Sequence, residues 1–88
     1  MRHIKLSGRE SAVVRASGFT EPVLGAEIQD QSHMDIEDVN DTINGLLAAG
    51  YVESLPYREE VELAEFHTIS FEINPAYSQG LRAALYRR

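Results

Sequence analysis

The sequence predicts an α+β fold: three helices, a β-hairpin and a closing helix, in one domain spanning residues 1–88. Three observations predict it. Ile36, Val39, Ile43, Leu46 and Leu47 recur at helical spacing between Asp35 and Gly50. Ile69, Phe71 and Ile73 alternate with Thr68, Ser70 and Glu72, the period of a half-buried strand. Tyr77, Leu81, Ala84 and Leu85 then form an i, i+4, i+7, i+8 stripe behind Asn74-Pro75.

At 88 residues the chain is long enough for a modest core without metal or disulfide support. It has no cysteine, which excludes thiol redox chemistry and thiolate metal sites. No apolar run approaches the roughly 18 residues of a membrane span and no secretory leader is apparent, so a cytoplasmic location is expected. The net charge of -6 is unevenly placed. Residues 1–20 carry a balance of +3, residues 21–65 of -11 and residues 66–88 of +2. An acidic centre of that size repels phosphate and slows encounter with nucleic acid.

Taken in order, Ile4 and Leu6 alternate with polar neighbours, as a short arm or an edge strand would. Ser7 and Glu10 have the spacing of a capping box, which opens a helix to about Ala16 with Ala12, Val13 and Ala16 inward and Val14 flanking. Ser17-Gly18 stops it, and Phe19 plugs the core from the turn. Thr20 is placed to cap a second helix with Glu21 and Pro22 in its first turn, since proline's missing donor costs nothing there. Val23, Leu24 and Ile28 give that helix its apolar positions, and Gln29 to His33 hold the turn. Asp35 caps the third helix, Glu37 and Asp38 complement its dipole, and Gly50 suits the left-handed position beyond its end.

After Gly50, alternation from Tyr51 to Tyr57 predicts a strand, with Pro56 marking an edge or a turn. Arg58 to Glu65 fits a wing tip, strand extensions or a short helical turn, of which a long hairpin with its tip near 58–63 is the expectation. Asn74 caps the final helix with Pro75 at its first position. Gly80 weakens that helix by up to about 1 kcal/mol relative to alanine, and Arg87 and Arg88 complement its C-terminal dipole. The expected core is Leu6, Val13, Phe19, Leu24, Ile28, Val39, Ile43, Leu46, Val52, Ile69 and Phe71.

A helix closing on Leu46-Leu47-Ala48-Ala49-Gly50-Tyr51-Val52 resembles the third helix and first wing strand of winged-helix domains. The resemblance, strongest to small bacterial regulators of the MarR and PadR types, covers roughly residues 6–86 and is most specific from Ile43 to Val52. It implies that Asp35 to Asn44 match the recognition helix, which enters the major groove in DNA-binding members, and that Arg58 to Glu65 match the wing. Such families place Arg, Lys, Ser, Thr or Gln on those surfaces. Here the helix offers Glu37, Asp38, Asn40, Asp41 and Asn44, and no basic residue occurs from 35 to 57.

No catalytic constellation is present, no cofactor motif is found, and an enzyme is not expected. His3, His33 and His67 are scattered over an arm, a turn and a strand. Asp30, His33 and Asp35 lack the spacing of a known metal motif and read as a solvated turn. Of the four tyrosines only Tyr57 and Tyr86 have basic neighbours, too few for a base-stacking platform.

Two functions remain open. One is a regulatory, protein-interaction module whose partner meets the acidic residues Glu37, Asp38, Asn40, Asp41 and Asn44. The other is a transcriptional regulator that binds DNA as a dimer, with Arg2, Lys5, Arg9, Arg15 and Arg58 on phosphates. Charge on the matched surface favours the first. Either function accommodates a homodimer through Tyr77, Leu81, Ala84 and Leu85, because related small winged helices often dimerise through their last helix.

Overall fold

A computed structural model describes residues 4–86. Arg2, Arg87 and Arg88, to which the sequence assigns phosphate or dipole roles, lie outside the described residues.

Helix α1 (Gly8–Ala16) begins at the expected capping box: the Ser7 hydroxyl accepts from Glu10 N–H, and the Glu10 carboxylate accepts from Ser7 N–H. These bonds satisfy two of the amide donors that every helix start leaves free. Val13 and Val14 are both buried, so Val14 belongs to the core and not to its flank.

The second helix departs from expectation. Thr20, Glu21 and Pro22 lie in a bend, Val23–Leu24 form a short strand β1, and α2 (Gly25–Ser32) starts only afterwards. Two influences oppose a start at Thr20. Pro22 disfavours helical geometry at the residue before it. Val23 and Leu24 pair with Phe71 and Ser70, giving the last strand a neighbour on its otherwise open side. Leu24 consequently turns outward and is 49% exposed, a correction to its place in the expected core. Gly25 is fixed by close approach: a Cβ there would collide with the Phe66 carbonyl oxygen.

Helix α3 (Ile36–Ala49) follows Asp35, whose backbone is extended as at an N-cap but whose side chain makes no capping hydrogen bond. Val39, Ile43 and Leu46 are its buried stripe. Gly50 closes it at φ +84°, with its N–H on the Leu46 and Leu47 carbonyls.

Strands β2 (Val52–Leu55) and β3 (Ser70–Ile73) are antiparallel, and β3 lies between β1 and β2 in a three-stranded sheet. The inner face carries Val52, Ser54, Phe71 and Ile73; the outer face carries Glu53, Leu55, Ser70 and Glu72.

The expected long hairpin is absent. The β2–β3 ladder ends at Leu55↔Ser70, and the connection folds back over the helices. A 3-10 helix, Leu63–Thr68, buries Phe66 against Phe71 with ring centroids 5.5 Å apart. Val61 is also buried, although it stands in the segment expected to form the hairpin tip, and Phe66 follows directly after the acidic run from Arg58 to Glu65. Burying these two side chains contributes on the order of 2–3 kcal/mol each, which favours the folded-back path over an extended wing.

Asn74 ends the sheet and turns the chain, accepting from Ala76 N–H and donating through Nδ2 to the Gly50 carbonyl. It caps a short 3-10 turn, Pro75–Tyr77, which leads into α4 (Ser78–Tyr86). Helix α4 is held to the body by Leu81, which is fully buried, and by Arg82, whose guanidinium carbon sits 4.4 Å from the Phe19 ring centroid. A Cβ at Gly80 would meet the terminal methyl of Ile4 in the N-terminal arm, which would have to shift aside. Leu6 and Phe19 pack at the core's margin, whereas Ile73 and Leu81 are additional members of it. No helix among the described residues is long and apolar enough to cross a membrane.

Candidate interaction surfaces

The acidic residues of α3 do not form one uniform face. Glu37 and Asp41 are exposed, one turn apart on the same side, so their charges repel by roughly 0.2–0.5 kcal/mol. Asp38 is half-buried and lies 3.6 Å from Arg9 of α1, an exposed pair that adds little to stability. Asn40 is half-buried, and its Oδ1 is buried without a hydrogen-bond partner among the described residues. Asn44 faces the β2–β3 connection and is bonded to the Val61 backbone. The geometry thus leaves Glu37 and Asp41 as the outward charges and assigns Asn44 to internal work.

The basic residues are similarly divided. Arg15 donates to the Leu85 carbonyl at 3.3 Å, and Arg58 donates to Glu65 at 3.2 Å and to the Tyr57 carbonyl at 3.0 Å. With Arg9 beside Asp38, only Lys5 of the described candidates for phosphate contact is exposed with no ion pair or hydrogen bond. Ion pairs among the described residues are Arg9–Asp38 and Arg58–Glu65.

On the candidate dimer helix, Leu81 is spent inside the single chain. Ala84 and Leu85 are half-buried, and Tyr77 stands edge-on to Tyr51 with centroids 5.1 Å apart. The stripe thus faces the body of the chain: Leu85 packs against the core beside Leu81, Ala84 lies half-buried at its margin, and Tyr77, in the turn before α4, is the member left 40% exposed.

A surface that the sequence does not mark lies along β2. A groove of about 850 Å³ runs from Leu47, Ala48 and Gly50 at the end of α3, past β2, to Tyr57 and Glu59. Its sheet side bears Glu53 and Glu72, which oppose each other directly across the β2–β3 ladder. Leu55 and Tyr57 beside it are 50% and 74% exposed. The alternation from Tyr51 to Tyr57 foretells the strand, but nothing local says which neighbour it takes. A shallower hollow holds Asp30, His33 and His67, with His67 bonded to Gln29; no group of three or more metal-ligating side chains occurs among the described residues.

Comparison with protein-family models, with curated proteins and with solved structures finds no match for this chain.

Proposed function

We propose that this chain is a non-enzymatic winged-helix module that binds a protein partner, with an acidic surface where DNA-binding members carry a basic one. The order α1-β1-α2-α3-β2-β3, with β3 central in the sheet, supports the winged-helix reading. The observation that carries the functional reading is the outward side of α3. Glu37 and Asp41 stand there without a cation among the described residues, on the element that would have to enter a major groove. Carboxylates in that position accept from cytosine N4 only if neighbouring groups neutralise the phosphates. The connection that would form the wing packs back on α3 through Asn44, and its arginine, Arg58, is paired with Glu65.

The alternative is a dimeric DNA-binding regulator that contacts phosphates from the α1 side through Lys5, Arg9 and Arg15. It is disfavoured because Arg9 and Arg15 already have partners within the chain. In either role a homodimer would use the partly exposed margin of the α4 stripe, through Tyr77, Ala84 and Leu85.

Titration with random duplex DNA separates the two. The protein-binding reading expects weak, sequence-independent binding at physiological salt, strengthened by Glu37→Lys with Asp41→Lys. Tight binding of one duplex by the unmodified protein, weakened by those lysines, would replace it with the regulator.

A further inference from the structure

Strand β2 is the open edge of the sheet, and its outward backbone groups can be identified. Asn74 N–H donates to the Tyr51 carbonyl at 2.9 Å, so that residue pair is of the hydrogen-bonded kind. Antiparallel pairing alternates, which turns Tyr51, Glu53 and Leu55 toward β3 and leaves the N–H and C=O of Val52 and Ser54 facing away from it. Among the described residues, no backbone bond joins Val52 or Ser54 to any other element. The groove lies along this edge.

The second observation is the pair Glu53 and Glu72, set directly opposite each other on the outer face with no cation bonded to either among the described residues. Like charges in that position destabilise a sheet. A charge on an edge strand guards against unwanted pairing, and Glu53 serves that purpose. Glu72 does not, because β3 has neighbours on both sides. Two facing carboxylates leave room for a cation from outside. Arg58 does not supply it, being held by Glu65.

We propose that an extended, basic segment of a protein partner adds to β2 as a fourth strand, with a Lys or Arg beside Glu53 and Glu72. Residues two apart on that strand share a face, so an aliphatic residue two positions from the cation meets Leu55. The residue between them points to the inner side, toward Leu47 at the groove's far wall. A second copy of this chain is a poor occupant, because it would set its own Glu53 against this one. Nucleic acid is excluded by the same carboxylates. This proposal rests on the protein-binding reading but places the contact on β2, away from the outward side of α3.

The test uses the whole protein and a ten-residue peptide with a central Lys-Val-Leu between threonines. Its controls are the same peptide with Glu for Lys, and one N-methylated on the edge that would face β2. The Lys peptide should bind and slow amide exchange at Val52 and Ser54. Both controls should lose binding, and Glu53→Gln with Glu72→Gln, isosteric and outward-facing, should weaken it roughly tenfold. Absence of binding by the Lys peptide overturns the proposal. Binding that leaves the Val52 and Ser54 amides unprotected also overturns it. If that binding is instead abolished by Glu37→Lys with Asp41→Lys, the partner sits on α3 and the broader reading survives.

Discussion

Asn44 and Val61 are joined through both of their polar groups: Val61 N–H donates to the Asn44 Oδ1 at 2.7 Å, and Asn44 Nδ2 donates to the Val61 carbonyl at 3.0 Å. A side-chain amide here takes the part of a neighbouring strand. It satisfies a stretch of irregular backbone that the buried Val61 side chain draws toward the core, and it ties that stretch to the middle of α3. A residue that reads as a surface contact is thus the clasp of the β2–β3 connection.

Asn44→Ala leaves both Val61 groups without their partner and should cost about 1–3 kcal/mol. Asn44→Asp keeps the acceptor but sets a carboxylate against the Val61 carbonyl, so it should cost at least as much. Denaturant midpoints and the exchange rate of the Val61 amide check both. Unchanged midpoints would mean that the Val61 side chain alone holds the connection.

Ile43 is fully buried at the centre of α3. Ile43→Ala should lower stability by about 2–5 kcal/mol, a large share of the roughly 5–15 kcal/mol typical of a domain. A midpoint unaffected by the substitution would show that the helix presents a different face inward.

Two glycines in helices should respond in opposite ways to alanine. At Gly45, exposed in α3, a Cβ meets nothing within 4 Å, so Gly45→Ala should stabilise by about 0.5–1 kcal/mol. At Gly25 the new methyl would collide with the Phe66 carbonyl, so Gly25→Ala should destabilise despite alanine's better helix propensity. Thermal melts of the two variants side by side give the comparison, and a stabilised Gly25→Ala would contradict the close approach of α2 to the 3-10 helix.

Sedimentation at high micromolar concentration should show a homodimer that Tyr77→Lys, at a residue 40% exposed, separates into folded monomers. Leu81→Lys should unfold the chain instead, because Leu81 lies in the core of each copy. A wild-type protein that stays monomeric removes the dimer.

Where the physical cause was local, the sequence was legible. The Ser7–Glu10 box, the Val39–Ile43–Leu46 stripe and the Gly50 cap each act within a few residues, and α1 and α3 stand as expected. Strand β1 was not legible, because its two residues take their conformation from Phe71 and Ser70, far along the chain. Nor was the burial of Val61 and Phe66, whose acidic neighbours mask them and whose partners are Asn44, Gly25 and Phe71. The candidate surface followed the same division. Exposure of Glu37 and Asp41 follows from helical periodicity, whereas the open edge of β2 follows only from the strand order.

That strand order also has a consequence for synthesis. β1 and β2 do not pair with each other; both pair with β3, which is made last of the three. On the ribosome the three helices that precede it can begin to pack, but Val23 and Val52 have no ladder to join until Ser70–Ile73 emerges. A two-residue strand and a four-residue strand have no standing alone. The nascent chain therefore carries β1 unpaired from Leu24 onward and β2 unpaired from Leu55 onward, until completion of β3 at Ile73 fills both sides of that strand together.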